Sequence, residues 1–486
     1  NISSGSFLSG IDSLNGGNLE NNGKINIAST ATNSIGLYVE NGSTGTGTGD
    51  ITIDGNGNAG VVNFGTFNQT GGTIDVSGKD SIGIYAKDSS SSTTITGSTV
   101  NAKNGAVAFY ADGSSGNEST ITLNNVTSNI GDGGLLFFNY TGTLPGQVGK
   151  FNISGPTTVN ILSGGVAFYN RGIIGSEATF LNMINGNNLT LNMSSGSRLF
   201  VFDDPGITQN LSSIPSLGGV PSISNSSGTA TITVNGSDYK YTTANKATLN
   251  IDQNVNLDSS GDSYYKVDFF SSNVNVGTPT AAIMTNNGNP IANSLKYAIA
   301  QKNAATNASS VVVDIKSSGQ IRLTNQTGLV GVITDRGTII NNGIVESSGE
   351  SGIGLLGSNG SIVTNNSSII IGNGGAGIMG INVLPGGSIG NIDLTNNGTI
   401  SYAPTSSTIL PSYGIVAKND NYVSAGTTSN VTLGSGSLID LSNNQESVGV
   451  YASNSNIIDN GGDIKVGVKG IGMQLINPLS MSMTGG

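Results

Sequence analysis

One short block recurs along this chain, and a chain that repeats itself at such spacing is restricted to few folds. The block reads small residue, Ile/Val/Leu, Gly/Ala, apolar, then Tyr, Val or Leu. It is seen at Ser34-Ile35-Gly36-Leu37-Tyr38-Val39, Ser81-Ile82-Gly83-Ile84-Tyr85-Ala86, Ala106-Val107-Ala108-Phe109-Tyr110-Ala111 and Ser447-Val448-Gly449-Val450-Tyr451-Ala452. Looser copies lie at Gly60-Val61-Val62, Gly134-Leu135-Leu136, Gly165-Val166-Ala167, Gly352-Ile353-Gly354, Gly377-Ile378-Met379, Tyr413-Gly414-Ile415 and Gly470-Ile471-Gly472. A second block alternates with it: Asn or Gly, then apolar-polar-apolar, as in Gly23-Lys24-Ile25-Asn26-Ile27 and Gly72-Thr73-Ile74-Asp75-Val76, with a later copy at Asp463-Ile464-Lys465-Val466. Within each half of the chain the first block returns every 21 to 37 residues. Such a period is too short for a domain and suits one coil of a solenoid.

Inside most blocks the apolar residues alternate with period two, the pattern of a strand with one buried face. Between blocks lie Gly, Asn, Ser and Asp, the residues that form tight turns. The expected fold is all-β, a right-handed parallel β-helix with about 25 residues per coil. Asn-Asn-Gly steps at 21–23, 341–343 and 396–398 fit the same grammar. Asn tolerates the left-handed conformation, and Asn side chains stacked from coil to coil can form hydrogen-bonded ladders.

The repeat fades over 197–310. This stretch holds Phe200, Phe202, Tyr239, Tyr241, Tyr264, Tyr265, Phe269 and Phe270, with Pro205, Pro215, Pro221, Pro279 and Pro290. After Pro290, apolar residues fall at 291, 295, 298 and 299, a helical stripe with Asn289 placed as N-cap. The expected organisation is β-helix coils over 1–196, an irregular insert over 197–310 with a short helix near 290–303, and β-helix coils over 311–486. Insertions in solenoids tend to project from the binding face. The candidate ligand-binding residues are therefore Asp203, Asp204, Tyr239, Tyr241, Tyr264 and Tyr265, since exposed Tyr beside acids suits sugar or protein recognition. For any one of these aromatics, filling the core is the competing role.

Composition removes several chemistries. The chain has no Cys and no His. That excludes disulfides, thiolate metal sites and a Ser-His-Asp triad. Only 10% of its 486 residues are charged, and the net charge is −11, which repels a phosphate backbone and argues against a nucleic-acid partner. The 35% apolar content supports an ordered core rather than disorder. No stretch is apolar and long enough to cross a bilayer as a helix. Absence of Cys fits export into an oxidising compartment.

Several motif matches dissolve into the repeat. Gly352-Ile353-Gly354-Leu355-Leu356-Gly357 and Gly375-Ala376-Gly377-Ile378-Met379-Gly380 match G-x-G-x-x-G. A dinucleotide fingerprint, however, sits between a strand and a helix, and these are successive repeat blocks, so no cofactor is expected. Gly71-Gly72-Thr73-Ile74-Asp75 and Gly461-Gly462-Asp463 resemble the calcium-solenoid nonapeptide without its tandem run, so no metal is expected. Asp203-Asp204 and the pair Glu346 and Glu350 are the carboxylates to weigh for glycoside cleavage, which needs two at a set separation. Chance spacing among 29 acidic residues accounts for them, and no catalytic residue is assigned.

The Ser81–Ala86 and Ser447–Ala452 blocks, together with the Asn-Asn-Gly-x-Ile steps, resemble the passenger repeats of fusobacterial type V autotransporter adhesins over most of 20–195 and 311–480. The resemblance implies a segment displayed on the bacterial surface and tethered by an outer-membrane barrel outside this chain. It also implies attachment to other bacteria and to host cells through a receptor or glycan. A monomer is expected. Two other readings stand beside adhesion: a β-helix polysaccharide lyase or hydrolase, and a passive spacer.

Overall fold

The computed structural model describes residues 1–112, 118–140, 149–171, 183–203, 208–211, 222–224, 230–236, 239–257, 268–270, 272–285, 297–303, 310–324, 327–382, 390–403, 410–419 and 428–484. They form two compact units, Asn1–Thr243 and Ala244–Gly486. Each is built mainly of parallel coils, and a regular coil contributes three strands, one to each of three stacks of parallel strands.

In the first unit one coil runs Ile35–Val39, Thr44–Gly47, Ile51–Ile53, and the next runs Ala59–Asn63, Thr66–Thr70, Thr73–Val76. Ile35 lies beside Ala59, Thr44 beside Thr66, and Ile51 beside Ile74. The second unit repeats the plan with Val330–Asp335, Thr338–Asn341 and Ile344–Ser347, followed by Ile353–Ser358, Ile362–Asn365 and Ser368–Ile371. There Val330 lies beside Ile353, Thr338 beside Ile362 and Ile344 beside Ser368. The period-two pattern supplies the inner walls. Ile25, Ile51, Ile74 and Val100 stack in one buried column, and Ile27, Ile53, Val76 and Ala102 in the next. Each such aliphatic side chain, withdrawn from water, stabilises the unit by about 1.5–3 kcal/mol.

Side chains of unequal size interlock between coils. Phe67 fills the space opposite Gly45, where an added Cβ would meet its ring at 3.0 Å. Phe109, Phe137, Phe168 and Phe200 stack through successive coils at centroid spacings of 6.0, 5.6 and 5.3 Å.

The glycine inside the first block has a geometric cause. The ladder register skips this position, so that Ile82 pairs with Val107 and Ile84 with Phe109. The backbone there presses on the next coil. A Cβ at Gly36 would sit 2.6 Å from the carbonyl oxygen of Gly60, at Gly354 2.7 Å from that of Gly377, and at Gly414 2.4 Å from that of Gly449. Neither G-x-G-x-x-G match lies between a strand and a helix. Ile353–Ser358 and Ala376–Ile381 are neighbouring parallel strands.

The Asn-Asn-Gly steps at 341–343 and 396–398, with Asn365-Asn366-Ser367 between them, form two ladders in the second unit. The first Asn points inward: Asn341 donates to Asn365 and Asn365 to Asn396, both at 2.8 Å, and all three are fully buried. The second Asn points outward: Asn366 donates to Asn342 at 3.0 Å and Asn397 to Asn366 at 2.9 Å. Asn21-Asn22-Gly23 departs from this. Asn21 stacks on Gly47, whose missing side chain leaves room for Gln69, and Gln69 turns to the carbonyl oxygens of Gly49 and Gly71. The Asn21 side-chain nitrogen finds no partner.

Two expectations for 197–310 need correction. Tyr297–Lys302 is a strand, not the end of a helix, and pairs in parallel with Val330–Asp335. Residues 290–296 lie outside the described residues. Of the apolar positions in that stripe, Ala298 and Ile299 serve the coil, buried at the same step in the block as Gly331 and Val332. Nor is the stretch wholly irregular. Thr248–Ile251 and Asn273–Val276 pair with each other, and Asn273–Val276 with Val312–Ile315. Leu249, Ile251, Val274 and Val276 supply the inward positions. An antiparallel pair, Ser222–Ser224 on Ala230–Asn235, interrupts the parallel pattern.

Candidate functional site: the outer faces of the coils

The first block also places side chains outward, in columns that cross the coils. Ile82, Val107, Leu135 and Val166 form one column, and Tyr85, Tyr110, Phe138 and Tyr169 its neighbour. Val107, Leu135 and Val166, with Val201, form a buried apolar cluster on which Ile82, Tyr110, Phe138 and Tyr169 pack. The rings are in contact throughout. Tyr85 and Tyr110 stack at 4.7 Å, Tyr110 meets Phe138 edge-on at 5.0 Å, and Phe138 and Tyr169 stack at 5.6 Å. Tyr38 and Phe64 extend the aromatic face, with the Lys87 ammonium 5.7 Å above the Phe64 ring.

Carboxylates finish the column. The Tyr85 hydroxyl donates to buried Asp112 at 2.9 Å, and the Tyr169 hydroxyl donates to Asp203. Burial raises the Tyr85 phenol above its ordinary value, and the Asp112 charge adds to this. Burial raises Tyr169 likewise, with its bond to Asp203 adding to it. Charging either phenol would bring an anion against a carboxylate in a partly dry site.

On the third sheet of the same unit the outward side chains are polar. Asn101 donates to Asp75 at 2.7 Å, Asn129 to Asn101 at 3.0 Å, Asn160 to Asn129 at 2.9 Å and Asn192 to Asn160 at 3.0 Å. A groove of about 430 Å³ runs beside this ladder, lined among others by Asp54, Asp75, Lys103, Asn129, Asp132 and Leu162. Among the described residues, no group of three or more acidic side chains could hold a metal ion.

The candidates picked from sequence do not meet in one described site. Asp203 ends the strand Arg198–Asp203, half-buried, as the acceptor for Tyr169. Tyr239 is buried, with 5% of its surface exposed, so it fills a core. Tyr241 lies on the strand Lys240–Asn245. Asp204, Tyr264 and Tyr265 lie outside the described residues. Of the other acids weighed, Glu346 pairs with Arg322 of the preceding coil at 2.7 Å. The outer aromatic column was missed as a surface, although the recurring Tyr at the fifth block position signals it. No family model matches this chain, and no curated protein is similar to it in sequence.

Proposed function

We propose that this chain is an adhesive segment of a surface-displayed protein, a stack of coils whose outer columns bind other cells through a receptor or glycan. The observation that carries the reading is the continuous outward column Tyr85, Tyr110, Phe138 and Tyr169, set on rigid strands. Aromatic rings offer large contact area at little conformational cost, and they dominate recognition surfaces. Display by a type V autotransporter belongs to the same proposal and rests on the resemblance of the repeat blocks.

The reading as a glycan-cleaving enzyme has less support, because Asp203 and Glu346 are engaged by Tyr169 and Arg322 of neighbouring coils. Fluorescently labelled chain should attach saturably to bacterial and epithelial cells, and replacing Tyr110 and Phe138 together by Ser should cut attachment at least about fivefold with melting still cooperative. Attachment equal to that of an unrelated acidic protein would sink the adhesive reading. Release of new reducing ends from a glycan panel would favour the enzyme instead.

A further inference from the structure

The third sheet of the first unit repeats one outward pattern on six successive coils. Thr73, Thr99, Thr127, Thr158, Thr190 and Thr233 pair in turn and form one row. Two residues further along each strand, Asp75, Asn101, Asn129, Asn160, Asn192 and Asn235 form a second row beside it. The residue between the rows, such as Ile74, Val100 or Leu191, is buried, so both rows face outward. The second row is held by its own amides, and Asn235 extends that ladder by donating to Asn192 at 3.0 Å. The first row is left open: among the described residues, none of its six hydroxyls is bonded to a protein group. Thr127 and Thr158, in the middle, are exposed. Asp75, at one end, is the one charged side chain in the two rows. The fold does not itself require this pattern. On the third sheet of the second unit the corresponding outward row reads Gln320, Ile344, Ser368, Thr399 and Leu438.

We infer that these two rows bind ice. Stacked coils repeat about every 4.8 Å, and rows two residues apart on a strand are separated by about 6.6 Å. Water molecules joined tetrahedrally by bonds of about 2.75 Å place second-neighbour oxygens about 4.5 Å apart. The repeat of the coils is therefore close to a repeat of the solid, and it continues for about 24 Å across six coils. Little has to be ordered on contact. Thr is stiff about its first side-chain torsion, and the ladder bonds fix the amides, so binding costs little side-chain freedom. Each Thr offers a methyl group and an open hydroxyl. Each Asn of the ladder donates one amide N–H along the row and keeps the other for a lattice water. A sugar chain fits less well, because neither row holds an aromatic ring on which it could stack. The inference stands apart from the adhesive reading, whose Tyr85 column lies on the first sheet.

The test grows ice slowly in a solution of the fluorescently labelled whole chain and compares protein in the ice with protein left in the liquid. The ratio should exceed that of an unrelated acidic protein of similar size by at least about fivefold, and seed crystals held just below melting should become faceted. T127K and T158K each place a long charged side chain in the middle of the Thr row. Both positions are exposed, so circular dichroism and cooperative melting should be kept while the ratio falls to that of the control protein. T432K, an outward change on a strand of the second unit, should leave the ratio within about twofold. A ratio no higher than the control's would overturn the proposal, as would enrichment that both T127K and T158K retain. Retention on crystalline cellulose or chitin without enrichment in ice would give the rows to a polysaccharide and overturn it too.

Discussion

At the residue scale, inner and outer asparagines carry different energetic weight although they are sequence neighbours. Asn365 is fully buried, donates to Asn396 and accepts from Asn341. Its neighbour Asn366 makes its ladder bonds at the exposed surface. A buried polar group left without its partner costs about 1–3 kcal/mol. N365A should therefore lower stability by about 2–3 kcal/mol in urea unfolding, and N366A by less than about 1 kcal/mol. Equal losses would show that the inner ladder has no special role. The outer tyrosines give a pH signature. Their phenols are held above the ordinary value near 10 in the folded chain. The unfolded chain therefore loses these protons first as pH rises, and folding stability present below about pH 10 declines above it. Tyr85→Phe should flatten that alkaline decline while costing about 1 kcal/mol at neutral pH. Thermal melts between pH 8 and 11 would show an unchanged slope if the phenol were not coupled to folding.

At the scale of the element, close approach of stacked strands decides which blocks need glycine. A Cβ on Gly354 would lie 2.6 Å from Ile369 Cγ2 and 2.7 Å from the Gly377 carbonyl oxygen, whereas one on Gly472 would meet nothing within 4 Å. Overpacking a fixed interior costs about 1–3 kcal/mol. Gly354→Ala should destabilise by that amount, while Gly472→Ala should change stability by less than about 0.5 kcal/mol; calorimetric melting of both variants compares them directly. The repeat grammar made this glycine visible in the sequence, and the strand pattern with it. What the sequence hid was the skipped register position. The skip turns both the Ile82 column and the Tyr85 column outward, so strict alternation misplaces one of them. The part of the expected helix that falls on Tyr297–Lys302 is a strand for a related reason. A period of three to four among 291, 295, 298 and 299 cannot be told from strand positions displaced by a skip. Pairing of Tyr297–Lys302 with the next coil then satisfies its backbone groups.

At the scale of the whole molecule, each unit is close to a one-dimensional stack in which a coil touches only its neighbours, and stability is roughly a sum over coils and their interfaces. Excising residues 353–375 should leave a folded protein. The amide of Ala376 already lies 2.9 Å from the carbonyl oxygen of Gly352, so the cut ends adjoin, and Val330–Asp335 would meet Ala376–Ile381 in the register each now uses with the lost strand. Circular dichroism should keep its strand signature while the urea m-value falls with the surface removed. Collapse of the spectrum would mean that the coils are not separable. The site was less legible than the fold. Tyr239 was chosen for its setting among acids and prolines, yet it is buried, because composition does not report which way a ring points.

The sequence by itself determined the coil. Alternating aliphatics, turn residues and a short period admit a stack of parallel strands and little else, because each block must bury one face and no block can do so alone. Only the tertiary structure decided what the outside offers. Whether a Tyr becomes filling or a carboxylate's partner depends on the residue one coil away, tens of positions distant in the chain. Thr127 meets Thr158 and Asn129 meets Asn160 across the coils, and that adjacency is fixed by register, which no local pattern contains.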